Sequence, residues 1–127
     1  MKIALDVLGG DNAPESNIKG AFAYLDHCGD SAAEIILIGD RSLIESTIKN
    51  LKRNVSDVSI IHTTEVVEMN ERASRIFREK PDSSLVKSIQ LVKTGDAQAA
   101  VSAGNTGALL TSSLFLIGKI TGIRRPA

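Results

Sequence analysis

"EIILIG", residues 34–39, decides the fold. Four consecutive apolar side chains cannot alternate between core and solvent, so a strand built from them is buried on both faces. Such strands belong to parallel sheets covered by helices on either side. The flanking sequence agrees. Upstream, "KIALDV" (2–7) reads as a strand, and "ESNIKGAFAYLDHC" (15–28) sets Ile18, Phe22 and Leu25 on one helical face, with Gly29 as a stop. Downstream, Asp40 or Ser42 caps a helix. Ser42 with Glu45 matches the capping box, and Leu43, Ile44, Ile48 and Leu51 follow at helical spacing.

Further along, "DVSIIHT" (57–63) is a third strand, and "EVVEMNERASRIFREK" (65–80) is a loop followed by a short helix around 70–79. "DSSLVKSIQLVKTG" (82–95) is a helix capped by Asp82 or Ser83, with Leu85, Ile89 and Val92 on its apolar face and Gly95 at its end. "AQAAVSA" (97–103) is a small-residue strand, Asn105 to about Ile120 is the last helix, and "TGIRRPA" is loop. Strand–helix–strand alternation with doubly buried strands predicts an α/β fold, a parallel-sheet αβα lobe with right-handed crossovers. Four strands make a small sheet, and the last helix wants a further layer. The expectation is therefore the front part, 1–127, of a longer protein.

Bulk composition narrows the function. Fifteen basic and fifteen acidic residues cancel, which removes the basic excess that nucleic-acid binding uses to neutralise phosphates. Aromatics are 3% with no Trp, too few for a base-stacking platform. Cys28 is the single cysteine, so no internal disulfide forms, and it reads as a small apolar residue near a helix end. His27 and His62 stand apart from any Cys or His cluster, so no metal site is expected. The amino terminus has too short an apolar run for a signal peptide, and 108–117 is too short to span a bilayer. A soluble cytoplasmic protein is expected.

In open parallel sheets ligands bind beyond the carboxyl ends of strands, and three loops there carry unusual residues. "DVLGGDNAP" (6–14) offers Gly9 and Gly10 for a sharp turn or a close backbone approach, and Asp11 as a helix cap or a ligand contact. It lacks the G-x-G-x-x-G dinucleotide pattern. "SAGNTGA" (102–108) places Gly104, Asn105, Thr106 and Gly107 at a helix start, where free N–H groups and the helix dipole make an anion site, with Ser102 adding a hydroxyl. No Walker A pattern is present. Local residues leave two readings of this loop open: a packing turn with an Asn or Thr cap, or a phosphate cradle. "KPDSS" (80–84) starts another helix, with Lys80, Ser83 and Ser84 as an N-cap or a second anion contact. Arg124 and Arg125 are surface charges or a phosphate clamp.

"DVLGGD" (6–11) with Pro14, "KPDSSLVKSIQLVKTGDAQAAVSAGNTGAL" (80–109) and "GIRRPA" (122–127) together resemble the amino-terminal part of the PlsX family, the bacterial acyl-ACP:phosphate acyltransferases. Leu8 stands where that family usually has Met, a volume-conserving exchange. Pro81 replaces a usually charged residue, and it suits a helix start. The resemblance implies transfer of a fatty acyl group from the thioester of acyl carrier protein to inorganic phosphate, giving acyl phosphate for phospholipid synthesis. It implies a two-lobed fold similar to the isocitrate and isopropylmalate dehydrogenases, a homodimer, a cleft active site, and no metal, nicotinamide or other cofactor. Membrane attachment at the inner face would be peripheral and would lie outside this chain.

On that resemblance the "SAGNTG" loop is the phosphate cradle. Asn105 orients phosphate or donates to the oxyanion, Lys80, Ser83 and Ser84 form an opposing wall, and Asp11 accepts a proton. Gly9, Gly10, Ser102, Gly104, Thr106, Gly107 and Arg125 bind phosphate or substrate. No Ser–His or Cys–His pair is visible, so no acyl-enzyme is required. The alternatives from other classes are a non-catalytic phosphate- or nucleotide-binding module, an NAD-dependent dehydrogenase relative and a structural lobe of a dimer.

Overall fold

The computed structural model describes residues 1–124. Four strands, β1 (Lys2–Asp6), β2 (Glu34–Gly39), β3 (Ser59–His62) and β4 (Ala99–Ser102), form one sheet in the order β3-β2-β1-β4, with every pairing parallel. Five helices connect and follow them: α1 (Glu15–Cys28), α2 (Arg41–Asn50), the single turn α3 (Ile76–Glu79), α4 (Ser84–Thr94) and α5 (Thr106–Leu116). The expected α/β parallel-sheet architecture is thus what the chain adopts.

The strand period of two sorts the side chains. Ile3, Leu5, Val7, Ile35 and Leu37 point to one face, where Ile18, Ala21 and Phe22 of α1 and Ile44 and Ile48 of α2 cover them. Ala4, Ile36 and Ile38 point to the other, against Leu91 and Val92 of α4 and Ala97. A third cluster, Ile76, Leu85, Val86, Ile89 and Ala108, joins α3, α4 and α5. Both faces of "EIILIG" are buried, as its continuous run requires. By alternation Asp6 falls on the α4 face, a position with consequences for the site.

Several boundaries differ from expectation for local reasons. Asp40, not Ser42, is the N-cap of α2, accepting from Leu43 N at 2.8 Å. Ser42 is already inside the helix, and Glu45 pairs with Arg41 at 3.3 Å instead of closing a capping box. Ser83 caps α4, and Pro81 precedes that cap in the turn and does not open the helix. β3 begins at Ser59 because 55–57 form a 3₁₀ turn under the Asn54 side chain. The helix expected around 70–79 is a 3₁₀ turn, Ala73–Arg75, leading into α3, with the preceding residues in an extended loop. β4 is trimmed to Ala99–Ser102, and α5 stops at Leu116, ahead of a left-handed Gly118. No helix among the described residues is long and apolar enough to cross a membrane.

Candidate functional site

The strand order locates the site. The chain steps outward from β1 to β2 to β3, then returns through α4 to place β4 on the other side of β1. The order reverses between β1 and β4, and a ligand crevice opens at such a switch point beyond the carboxyl ends of the strands. The two loops leaving those ends are residues 7–14 and 103–105, the two glycine-bearing segments singled out above.

The loops touch. A Cβ built on Gly9 would lie 2.7 Å from Gly104 N, 2.9 Å from Gly104 Cα and 2.7 Å from Asp6 Oδ2. Gly9 is held there by Asn17 of α1, whose Nδ2 donates to the carbonyls of Gly9 at 2.8 Å and Val7 at 3.1 Å. Gly10 turns the chain with φ of 98°.

Behind this contact sits Asp6, 1% exposed. Its Oδ1 accepts from Ser84 Oγ at 2.5 Å and Leu8 N at 3.1 Å, and its Oδ2 accepts from Ser102 Oγ at 2.7 Å. Ser102 Oγ in turn accepts from Gly104 N at 3.1 Å. A carboxyl group so enclosed needs donors to offset lost hydration. It receives three, and the N-terminus of α4, where Ser84 is the first residue, lies against it. One side chain therefore ties together the ends of β1 and β4 and the start of α4.

Asn105 is the N-cap of α5, its Oδ1 accepting from Ala108 N at 3.0 Å. Its Nδ2 donates to the carbonyls of Glu68, Met69 and Glu71 at 3.1–3.2 Å. Both ends of the amide are engaged, and the residue is 8% exposed. Lys80 acts on the same loop: its Nζ contacts Glu71 Oε1 at 2.5 Å and donates to the Val66 carbonyl at 2.6 Å. Residues 66–71 thus form a strap held from both sides, beside the start of α5.

Of the expected site residues, the fold brings Gly9, Gly10, Ser102, Gly104, Asn105, Thr106 and Gly107 to the same end of the sheet, beyond β1 and β4, where the two loops touch. Thr106 and Gly107 are exposed, and their N–H groups make no hydrogen bond among the described residues. Ser83 is fully buried, with its hydroxyl donating to the Lys80 carbonyl at 2.8 Å, and Ser84 faces Asp6. Asp11 is exposed in the turn and does not cap α1, whose N-cap is Pro14 without a side-chain bond. Arg125 lies outside the described residues. Among those described, no group of three or more His, Cys, Asp or Glu could hold a metal ion.

Sequence reasoning missed Asp6, Asn17 and Glu71. Asp6 had one usable signal: an acidic residue closing an apolar strand directly before a Gly-Gly turn, on the face that alternation assigns to the following layer. Asn17 and Glu71 had none, because their partners are backbone carbonyls and a lysine set by tertiary packing.

The strap has a pH signature. The Lys80 ammonium, then the Glu68 N–H, hold the Glu71 carboxyl below the ordinary glutamate range, against a smaller opposing effect of burial. A carboxyl whose pKa is lower in the folded state stabilises the fold above its unfolded pKa, and that contribution disappears as pH falls through the folded value. The stability difference between wild type and Glu71→Gln should therefore be constant near neutrality and shrink below about pH 4.3, the ordinary glutamate value. Denaturant midpoints measured across acid pH check it. Asp82, lowered by the Thr64 hydroxyl and N–H, is present in both proteins and cancels.

The fatty acid synthesis protein family model matches residues 1–127. The chain is 44% identical over 126 residues to the "Phosphate acyltransferase" of Clostridioides difficile, covering 99% of this chain and 36% of that protein. It is 45% identical over 127 residues to the "Phosphate acyltransferase" of Leuconostoc mesenteroides, covering 100% of this chain and 35% of the relative. The protein of that name from Dictyoglomus turgidum is 43% identical, with 100% and 37% covered. The chain spans little more than a third of the length of these curated relatives, at 35–37%. The resemblance carried by "DVLGGD" and "SAGNTGA" holds, and the chain belongs to the fatty acid synthesis protein family.

Proposed function

We propose that this chain forms the phosphate-binding part of a phosphate acyltransferase that converts acyl-[acyl carrier protein] and inorganic phosphate to acyl phosphate for phospholipid synthesis. The observation that supports this most is the switch point, where two glycine loops meet beside the Thr106 and Gly107 N–H groups at the start of α5, which make no hydrogen bond among the described residues. Those N–H groups and the helix dipole suit an anion. An oxygen of hydrogen phosphate attacks the thioester carbonyl. The C–O bond forms, the C–S bond breaks, and the carrier thiolate leaves and takes up a proton. The chain's contribution is to hold the nucleophile and orient it, which supplies much of the rate in such a reaction. In this reading Thr106, Gly107 and Ser102 contact phosphate. Asn105 and Lys80 build the wall by fixing the 66–71 strap, and Asp11 stands at the rim. The partners are acyl carrier protein and a second copy of the chain.

Incubating the full-length protein with acyl-[acyl carrier protein] and phosphate, and trapping acyl phosphate as hydroxamate, tests the reading. Phosphate-dependent hydroxamate is expected. Stabilisation by phosphate in a thermal shift, with no hydroxamate, would instead indicate a binding module.

A further inference from the structure

Three arginines stand on one side of the segment that follows the strap. Arg72, Arg75 and Arg78 recur every third residue through the 3₁₀ turn Ala73–Arg75 and α3, and all three are exposed. Residues three apart eclipse one another in a 3₁₀ turn, so the spacing collects them on an outer face while Ala73 and Ile76 turn inward against α4 and α5. Arg41 and Arg53, earlier in the chain, are paired with Glu45 and Asp26. Arg72, Arg75 and Arg78 form no ion pair among the described residues, although Glu68 and Glu79 are exposed in the same stretch. An aromatic ledge adjoins them. The Arg78 guanidinium lies 5.1 Å from the centre of the Phe77 ring, which stacks on Phe115 at 4.6 Å, and Phe115 is 62% exposed.

This face borders the start of α5. A Cβ built on Gly107 would lie 3.1 Å from the Ala73 Cβ, so the segment carrying the arginines touches the first turn of that helix. We propose that Arg72, Arg75 and Arg78, with the Phe77–Phe115 ledge, dock an acidic protein, the carrier that delivers the acyl thioester to this end of the sheet. This rests on the acyltransferase reading, in which the acyl group arrives on a carrier protein. Guanidinium forks match carboxylates bidentately, and arginine and aromatic side chains are enriched where proteins meet. A single exposed ion pair adds little within one chain. Across an interface, a row of like charges speeds encounter and sets orientation. Docking beside the α5 start brings the donor to the site without any arginine touching the reacting atoms.

Full-length protein is assayed for acyl-phosphate formation with two donors carrying the same acyl chain: acyl-[acyl carrier protein], and a small acyl-pantetheine thioester that offers no protein surface. Raising the salt concentration should lower kcat/KM for the protein donor about tenfold in wild type, the scale of electrostatic steering, and leave the small donor unchanged. Arg72→Ala/Arg75→Ala should raise KM for the protein donor at least about tenfold at low salt, a loss of hot-spot size. It should also flatten the salt dependence and leave the small donor within about twofold of wild type. Arg75→Glu should do more than Arg75→Ala, and Arg75→Lys less. A carrier with one acidic residue reversed to Lys should recover part of the loss in Arg75→Glu. A merely structural role would weaken both donors alike. Equal losses with both donors, or an unchanged KM and salt response with the protein donor, overturn the inference while acyl-phosphate formation stands. The inference also falls if the double variant loses sedimentation with phosphatidylglycerol vesicles while its kinetics with the protein donor hold, since the face is then a lipid surface. If neither donor yields acyl phosphate, the functional reading fails instead. Calorimetric binding of acyl-[acyl carrier protein] to wild type and the double variant then still decides the docking face, with equal affinities ruling it out.

Discussion

Gly9→Ala in the full-length protein should lose about 3 kcal/mol of stability, the upper end for overpacking a close-packed site. The added methyl meets Gly104 N and Asp6 Oδ2 at 2.7 Å and Gly104 Cα at 2.9 Å. Two of these are backbone atoms, and the third belongs to a carboxyl fixed by three hydrogen bonds, so none yields cheaply. The strain is relieved only by parting the two loops, which shifts Gly104 and the start of α5 relative to β1. A displacement of that kind costs on the order of 100-fold in turnover where reacting groups must be aligned. Two other glycines calibrate the result. Gly10→Ala has φ of 98° and would set its methyl 3.1 Å from the Ala103 carbonyl oxygen, so it should cost about 1–2 kcal/mol through left-handed backbone strain, with the close contact adding to it. Gly20→Ala, mid-helix in α1 with nothing within 4 Å, should stabilise by up to about 1 kcal/mol through helix propensity. Thermal unfolding of the three variants checks the order. A Gly9→Ala protein as stable and active as wild type would mean that the loop contact carries neither fold nor function.

The sheet was legible because its signal is local. The apolar run Ile35–Ile38 and the helical periods of α1, α2 and α4 each reside in a single segment, and each segment formed as its pattern requires. Where two local signals competed, the sequence left the choice open: Asp40 and Ser42 both suit an N-cap, Asp40 takes the role, and the Ser42–Glu45 capping box does not form because Ser42 is already inside the helix. In α5, Leu109, Leu110, Leu114, Phe115 and Leu116 lie all round the helix, so no face marks where it stops. The crevice was half legible. Glycines and small polar residues at strand ends announced both loops, but only the strand order β3-β2-β1-β4 makes them neighbours. Asp6 stayed hidden for the same reason: Ser84 and Ser102 stand 78 and 96 residues away in sequence. The strap at 66–71 has no periodicity of its own. It is ordered by side chains elsewhere, so no pattern within it could reveal its course.

Asn105→Asp is the substitution that separates building the crevice from touching the substrate. Asp is as good an N-cap as Asn, so the bond to Ala108 N, 3.0 Å in wild type, survives. The opposite end of the side chain does not. Where Nδ2 donated to the carbonyls of Glu68, Met69 and Glu71, a carboxylate oxygen would face three acceptors at an 8%-exposed position. Repulsion there, added to three lost bonds, should cost about 2–4 kcal/mol, more than the roughly 1–3 kcal/mol expected for Asn105→Ala, which leaves the carbonyls unpaired but not opposed. Hydrogen exchange should show the 66–71 strap released in Asn105→Asp while α5 remains protected. Turnover should fall with the strap, since Lys80 loses its Val66 and Glu71 anchors and the wall opens. If instead Asn105 serves chiefly by donating to phosphate or the oxyanion, Asn105→Ala and Asn105→Asp should both abolish turnover while leaving strap exchange at the wild-type rate. The two roles thus predict opposite exchange patterns for the same loss of activity.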